Sequence, residues 1–331
     1  MNAGNARIAV EADLSVIDSH HHLWIKKGQR YLMDEFEADV AACGHDVVAS
    51  IFAECNAEYR SSGPREMQPV GEAEFVKVQA DKSATGPMAN KRLCTAFIGA
   101  ADLSIGAAVD DVLQALEEAS AGRFRGIRCA VYWDPDLSLN LGLRPYAAQG
   151  VLLDKTFRQG FRKLADRGLI YDAWQYEPQL PELCNLADAF PDTTMVVNHC
   201  GGPVGVNAYA TSDRFERWRR AICEVARRPN TQMKLSGLAA KRIGLGLENR
   251  TTPATAIELA AVWRPYVEAC IEAFGAQRCI WGSNYPVEAS LCDYGTLIDA
   301  YKLATGACSD AEKEAIFSGN ATRTYSLSYP L

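Results

Sequence analysis

The chain has 331 residues, of which 48% are hydrophobic and 23% charged, and its formal net charge is −7. This mix is typical of a soluble globular protein and excludes disordered, collagen-like and fibrous chains. Because the charge is negative, we expect no nucleic-acid partner, since phosphates require a basic surface.

The sequence contains no apolar run long enough for a signal peptide or a membrane span, which predicts a cytoplasmic protein with no membrane partner. Its 11 cysteines are odd in number and include no Cys-x-x-Cys pair. We therefore expect buried reduced thiols rather than disulfides or a thiolate zinc site. The sequence does not fix the oligomeric state, and a homo-oligomer is compatible with it.

Short runs rich in β-branched residues alternate in strict order with longer segments of helical period. The predicted strands are 16–22, 47–54, 93–99, 126–132, 169–174, 194–199, 232–237 and 279–284. The predicted helices are 34–43, 72–82, 110–121, 154–167, 181–190, 213–228, 257–274 and 294–304. This order predicts an α/β fold, a single (β/α)8 TIM barrel over residues 1–331, with its core at about 15–327 and elaborated βα loops.

Two of the predicted helices carry boundary signals. Asp154 can cap one helix through its side chain, and Gly168 follows the last apolar position as a stop. Asp213 can cap another, which Pro229 ends.

The segments that follow predicted strands are longer than those that enter them. The long ones are 24–32, 55–71, 133–151, 200–212 and 238–255. In such barrels the chemistry lies where strands end and these loops begin, so we search for the site there.

Three of the five histidines, His20, His21 and His22, end the first predicted strand. Because side chains alternate along a strand, Asp18, His20 and His22 share the inward face while His21 points the other way. Such imidazoles can bind a divalent ion or donate to a carboxylate or carbonyl oxygen. The alternative is a polar cluster whose members satisfy one another inside the barrel mouth.

A fourth histidine, His199, ends the sixth predicted strand, so we expect it to join His20 and His22 at the same edge of the barrel. The glycines that follow it, Gly201 and Gly202, allow the backbone to approach a ligand closely. The fifth, His45, lies in a helix-to-strand connection and is expected at the solvent-exposed surface.

Four segments then identify a family resemblance. They are Ile17-Asp18-Ser19-His20-His21-His22-Leu23-Trp24, His199-Cys200-Gly201-Gly202-Pro203, Lys234-Leu235-Ser236-Gly237-Leu238 and Trp281-Gly282-Ser283-Asn284-Tyr285-Pro286-Val287. In this order they resemble the amidohydrolase-related TIM-barrel hydrolases, the predicted metal-dependent hydrolases that include sugar lactonases and 2-pyrone-4,6-dicarboxylate lactonase. The resemblance runs from about residue 15 to 327.

The resemblance implies hydrolysis of a lactone ring by attack of water on the ester carbonyl. It implies that His20 and His22 hold a metal ion, and that His199 is a further ligand or polarises the carbonyl. It also implies an aspartate at the end of the eighth strand that activates the water. Here that position is Asn284, whose amide is not basic enough to act as a general base.

Three explanations for Asn284 stay open. Another carboxylate can serve as the base: Glu54 ends the second predicted strand and Asp172 lies on the fifth, and we favour Glu54, whose alternative role is an ion pair with Arg60. A metal hydroxide held by the three histidines can be the nucleophile. The pocket can also have kept binding and lost hydrolysis. Loss of an anionic ligand weakens a site for a hard cation, so a zinc or manganese ion and a metal-free site both stay open.

Cations and aromatic rings are the candidate substrate-binding groups. Arg128 requires an anion, which is either a substrate carboxylate or oxyanion, or Asp172 on the next strand. Lys234 has the same two alternatives. Rings at the predicted strand ends that can wall a planar ligand are Trp24, Tyr59, Tyr132, Trp133, Trp174 and Tyr285.

These observations favour an enzyme, a carboxylic-ester hydrolase that opens a small lactone derived from a sugar or from aromatic breakdown. Its partner would be a small-molecule lactone or carboxylic acid. The alternatives are a metal-dependent non-oxidative decarboxylase and a ligand-binding or inactive barrel. Asn284 counts against the first of these and favours the second.

Overall fold

A computed structural model describes residues 9–26, 28–139 and 147–328 of the chain. Its strands are β1 (Val16–His21), β2 (Trp24–Lys26), β3 (Gln29–Tyr31), β4 (Val47–Ala53), β5 (Ala96–Gly99), β6 (Phe124–Ile127), β7 (Ile170–Ala173), β8 (Met195–Val197), β9 (Thr231–Leu235) and β10 (Cys279–Trp281). All of these strands except β2 and β3, which form a hairpin, pair in parallel in one sheet, in the order β1-β4-β5-β6-β7-β8-β9-β10.

Helices separate the strands of this sheet along the chain. They are α1 (Met33–Ala42), α2 (Val70–Thr85), α3 (Val109–Ala119), α4 (Lys155–Asp166), α5 (Leu180–Ala189), α6 (Arg214–Ala226), α7 (Ala256–Phe274), α8 (Tyr294–Ala304), α9 (Asp310–Glu314) and α10 (Asn320–Thr324). The predicted (β/α)8 TIM barrel is confirmed. Every predicted strand and helix overlaps its observed counterpart, because short β-branched runs differ clearly from longer segments of helical period.

The barrel closes at the carboxyl end of the sheet. The backbone N–H of Asn284 donates to the His20 carbonyl oxygen over 2.7 Å, and the backbone N–H of His22 donates to the Tyr285 carbonyl oxygen over 2.8 Å. These bonds hold the residues that follow β10 against the histidines of β1. The two ends of the sequence array therefore meet at one point of the rim.

The inside of the barrel is filled with side chains. Branched residues of six strands contribute to one buried cluster, namely Ile17, Ile51, Ile98, Ile170, Val196 and Ile280. Tyr325 and Leu327, which follow α10, join this cluster. Because the interior is packed in this way, a ligand site must lie above it, in the loops at one end.

Some local predictions need correction. The segment 24–32 was expected to be a loop, but it contains the hairpin of β2 and β3. Asp154 does cap α4 and accepts from the Thr156 and Phe157 amides, whereas Asp213 precedes α6 without a side-chain cap. His45 is buried, not exposed, because its ring contacts Asp299 at 2.9 Å and Lys302 at 3.2 Å.

All 11 cysteines lie in the described ranges, and each is a thiol outside any disulfide bond. Part of the predicted loop 133–151 and both ends of the predicted domain fall outside the described residues. Within the ranges given above, no helix combines the length and apolar character needed to cross a membrane.

Candidate active site

A cavity of about 280 Å³ opens at the carboxyl ends of the strands. Its walls are formed by His22, Trp24, Lys26, Glu54, Cys55, Asn56, Arg128, Ala130, Tyr132, Trp174, His199, Gly237, Ala240, Arg242, Asn284 and Val287. The volume lies near the lower end for small-molecule sites, about 300 Å³ and above, which suits a ligand with one small ring. A more polar cavity of about 410 Å³ beside Arg125, Asp192 and Arg323 is at the opposite end and has no histidine in its walls.

Three imidazoles from distant parts of the chain meet at this cavity. The His20 ring centroid lies 4.9 Å from that of His22 and 4.8 Å from that of His199. All three rings are buried, and burial is the main reason that their pKa values fall well below the ordinary value of 6.5. The three rings are therefore neutral at neutral pH.

His20 lies between two cations. Its Nε2 is 3.1 Å from Arg128 Nη1, and its Nδ1 is 3.4 Å from Lys234 Nζ. After burial, these two charges are the largest causes of its lowered pKa. A neutral imidazole has one lone pair, so His20 is committed to its protein neighbours and has no acceptor left for a water or a substrate.

His22 has a defined tautomer. Its Nδ1 is 2.7 Å from the Ala53 carbonyl oxygen, which can only accept, so Nδ1 carries the hydrogen. Nε2 of the neutral ring is then a lone pair, and it lies 3.2 Å from Asn284 Oδ1. Trp24 stacks on the ring with a centroid distance of 5.8 Å and fixes its plane.

His199 is held by the segment after β9. Its Nδ1 is 2.9 Å from Ser236 Oγ, and its ring meets Trp174 edge-on at 4.8 Å. A Cβ at Gly237 would lie 2.4 Å from that Nδ1, so only glycine leaves room for the imidazole. His199 itself has a left-handed backbone with φ of 52°, a conformation that non-glycine residues keep mainly at functional sites.

Hydrogen bonds to Glu54 hold Arg128 in place, and part of its guanidinium faces the cavity. Nε donates to Glu54 Oε1 over 3.0 Å, and Nη2 donates to the Glu54 carbonyl oxygen. Together with the contact to His20, these bonds occupy three of its five N–H groups. The partner of Arg128 is thus Glu54, not Asp172. Glu54, the base favoured from sequence, lies at the cavity but is engaged with this cation, and Arg60 pairs with Glu74 instead.

Sequence reasoning missed Glu288, a buried carboxylate one turn beyond Asn284. Asn284 Nδ2 donates to Glu288 Oε1 over 3.0 Å, and the Asn284 backbone is left-handed with φ of 57°. Asparagine tolerates that conformation better than most residues. Burial raises the pKa of Glu288 from 4.5 to about 7. The sequence signal that could have indicated this contact is the four-residue spacing between Asn284 and Glu288.

Arg242 was also missed, because it lies in a loop with no motif. Its guanidinium is 4.7 Å from the Trp174 ring and lines the cavity. Among the described residues, Nε and Nη2 of Arg242 are buried with no hydrogen-bond partner. Burial lowers the pKa of Arg242 to about 10, so the group stays charged at neutral pH.

Five predicted substrate-binding residues do not line the cavity. Lys234 Nζ pairs with Asp172 Oδ2 over 2.8 Å, and both side chains are fully buried beneath His20. Tyr285 packs against other tyrosines, Tyr31 and Tyr294, at the outer side of the rim. Tyr59 and Trp133 are half-buried in their loops. Strand-end position alone could not distinguish these residues from Trp24 and Trp174, which do line it.

The described residues do not fit a divalent metal ion. They contain no group of three or more His, Cys, Asp or Glu that could hold one. The Nε2 atom of His20 faces Arg128. The side chain at position 284 is a neutral amide. Two further cations, Lys26 and Arg242, line the cavity. A dication here would be repelled by these charges and would lack an anionic ligand of its own.

Comparison with known proteins assigns the family. Residues 17–327 match the family model described as amidohydrolase. The chain belongs to the amidohydrolase family and is a hydrolase. It is 29% identical to the protein y4mH of Sinorhizobium fredii, over 95% of this chain and 99% of that protein.

Two further relatives carry lactonase names. An L-fucono-1,5-lactonase of Burkholderia ambifaria is 27% identical over 83% of this chain and 89% of its own length. An L-rhamnono-gamma-lactonase of Scheffersomyces stipitis is 22% identical over 82% of this chain and 85% of its own length.

Solved structures share the fold. An amidohydrolase from Burkholderia multivorans, crystallised with bound zinc, matches with a TM-score of 0.71 at 24% identity, over 94% of this chain and 99% of that chain. A putative 2-pyrone-4,6-dicarboxylic acid hydrolase from Pseudomonas putida has a TM-score of 0.64 at 15% identity, over 96% and 99%. A 5-carboxyvanillate decarboxylase from Sphingomonas paucimobilis has a TM-score of 0.55 at 12% identity, over 96% and 100%.

Proposed function

We propose that this hydrolase opens a small lactone by attack of water on the ring carbonyl, without a metal ion. The observation that carries the proposal is the pairing of two acceptors, His22 Nε2 and Asn284 Oδ1, in one cavity with the anchored cation Arg128. The lactonase names of the relatives support the choice of a cyclic ester.

Water is held by the two acceptors. One O–H donates to His22 Nε2 and the other to Asn284 Oδ1, so the lone pairs on oxygen are free to attack. As the new C–O bond forms, His22 takes a proton from the water. The low pKa of His22 keeps the ring neutral before that moment, and the negative charge developing on the substrate then favours its protonation.

Arg128 stabilises the oxyanion that forms at the carbonyl oxygen. Glu54 and His20 hold the guanidinium through three of its N–H groups. The two remaining N–H groups are therefore already oriented and need no reorganisation during the reaction. Glu54 has the role of an anchor rather than a base. The tetrahedral intermediate then collapses, the ring C–O bond breaks, and the proton on His22 passes to the leaving ring oxygen, which yields a hydroxy acid.

Arg242 and the aromatic walls define the substrate. Trp24, Tyr132 and Trp174 can enclose the faces of a small ring. Nε and Nη2 of Arg242 are buried donors without a protein acceptor in the described ranges, which is unfavourable. A ring hydroxyl or a carboxylate of the lactone would supply the oxygen acceptor.

A lactone panel tests the proposal. Purified protein is titrated at constant pH with γ- and δ-lactones of sugars and of unsaturated dicarboxylic acids, and carbon dioxide release from aromatic acids is measured in parallel. We expect acid release from at least one polar lactone and no carbon dioxide. Carbon dioxide release without acid release supports the decarboxylase alternative, and neither product supports a binding or inactive barrel.

A further inference from the structure

The Asn284 side chain connects His22 to a carboxylate outside the cavity walls. Its Oδ1 faces His22 Nε2 at 3.2 Å, and its Nδ2 donates to Glu288 Oε1 at 3.0 Å. Glu288 is only 3% exposed and is not among the residues that line the cavity. It lies behind the cavity wall and contacts Asn284, which forms part of that wall.

The charge on Glu288 determines which way the amide can point. An ionised carboxylate only accepts, so it requires Nδ2 of Asn284 and directs Oδ1 toward His22. In the reverse orientation, Oδ1 would face the carboxylate, and two acceptors would meet at hydrogen-bonding distance. Only a protonated Glu288, which can donate to Oδ1, permits that reversal.

The reversed amide would also block the lone pair of His22. Nδ2 would then donate to His22 Nε2, because Nδ1 of that ring is already committed to the Ala53 carbonyl. A water molecule could no longer be held between the two side chains as an acceptor pair requires. The orientation of one amide therefore separates a site that can bind the attacking water from one that cannot.

We propose that Glu288 is a positioning residue, whose ionised carboxylate holds Asn284 Oδ1 toward His22 and whose protonation lets the amide reverse and occupy the His22 lone pair. This inference rests on the proposed function of the same site. It extends that function by assigning the orientation of the water-binding pair to a buried acid that no motif marks.

Two other ionisable groups act on Glu288. Arg242 lowers its pKa, and Glu288 in turn raises the pKa of Tyr301 on α8. Oε2 of Glu288 is buried without a hydrogen-bond partner in the described ranges. Neither neighbour forms an ion pair that would keep Glu288 charged at all pH values, so the proton can exchange near neutrality.

Kinetics of three variants test this role. In the unmodified enzyme, kcat/KM is expected to fall roughly tenfold per pH unit below about pH 7. Glu288→Gln removes the titrating group, so its kcat/KM becomes independent of pH between about pH 5.5 and about pH 8. Glu288→Met cannot hold the amide, and we expect kcat to fall roughly tenfold to a hundredfold with KM within about threefold. Glu248→Gln, which removes an exposed carboxylate of the β9–α7 loop, keeps the original profile.

An NMR titration gives a readout that needs no substrate. In protein labelled with 15N-asparagine, the side-chain amide signal that disappears in Asn284→Ser belongs to Asn284. We expect it to titrate with a midpoint of about pH 7 in the unmodified protein and to stay constant in Glu288→Gln. An unchanged acid limb in Glu288→Gln, or the same amide titration in that variant, overturns the proposal. If no lactone is hydrolysed, the NMR result alone decides it, separately from the reaction.

Discussion

The Nε2 atom of His22 and the Oδ1 atom of Asn284 lie 3.2 Å apart, although each is a hydrogen-bond acceptor. Such a pair is unfavourable unless a molecule beside it donates to both members, so the arrangement is suited to bind a molecule with two O–H groups. Water is the simplest such molecule, and it is the co-substrate of a hydrolase.

Gly237→Ala is expected to reduce activity far more than stability. The added Cβ would lie 2.4 Å from His199 Nδ1 and displace the ring from Ser236. Gly246→Ala is the matched control, because Gly246 also has a positive φ but open space around it. Both changes carry the strain of a left-handed backbone, about 1–2 kcal/mol.

The measurement is kcat/KM alongside thermal unfolding for both variants. We expect at least a tenfold loss of kcat/KM for Gly237→Ala only. Equal kinetics of the two variants would show that the position of His199 does not matter for the reaction.

Arg242→Met is expected to weaken substrate binding. The guanidinium has two buried N–H groups without a protein partner, and a hydrogen bond to a charged group contributes about 1.5–3 kcal/mol. KM should therefore rise roughly tenfold to a hundredfold, with a smaller change in kcat. Arg250→Met, an exposed position on the same loop, is the control. An unchanged KM in Arg242→Met would remove this residue from the substrate site.

Asn284→Asp is expected to impair the enzyme rather than restore the aspartate of the family. The new carboxylate would lie within about 3 Å of Glu288 Oε1, and two such acids cannot both ionise freely. The acid limb of kcat/KM should move up by at least about one pH unit. An increase in kcat with an unchanged limb would mean that the native site lacks a base and that His22 does not act as one.

Glu288→Gln is expected to stabilise the fold above neutral pH. The folded-state pKa of Glu288 is raised from 4.5 to about 7, so the stability linked to its proton is complete below 4.5 and is lost as the pH rises through 7. The variant stays neutral, and its stability advantage over the unmodified protein should grow by about 2–3 kcal/mol between about pH 5 and about pH 8.

Urea unfolding at the two pH values measures this difference. If the difference in the free energy of unfolding between Glu288→Gln and the unmodified protein is the same at both pH values, Glu288 ionises in the folded protein as it does in the unfolded chain.

The fold could be predicted from sequence because its signals are local and repeated. Short runs rich in β-branched residues, separated by segments of helical period, predicted every strand of the barrel, and the position of His199 at a strand end placed it with His20 and His22. The hairpin of β2 and β3 was missed because its three-residue strands are too short to show a period.

The site was predicted less completely because hydrogen-bond partners are set by three-dimensional packing. Arg128 could equally have paired with Asp172, and only the structure shows that Glu54 holds it while Lys234 holds Asp172. Glu288 was hidden for the same reason, since a carboxylate in a turn is exposed in most proteins and its burial leaves no mark in the sequence.

The most direct measurement is the turnover of metal-stripped enzyme on its best lactone, with His22→Asn and His21→Asn compared side by side. His21 is the matched control, because its ring is buried next to His22 but stacks on Phe36 and hydrogen-bonds Ser50 behind the strand. We predict that chelated wild type and His21→Asn keep their activity per folded molecule, while His22→Asn loses roughly 10²–10⁴-fold in kcat. Activity that disappears on chelation and returns with zinc, or that survives in His22→Asn, would contradict a metal-free reaction in which His22 receives the proton of water.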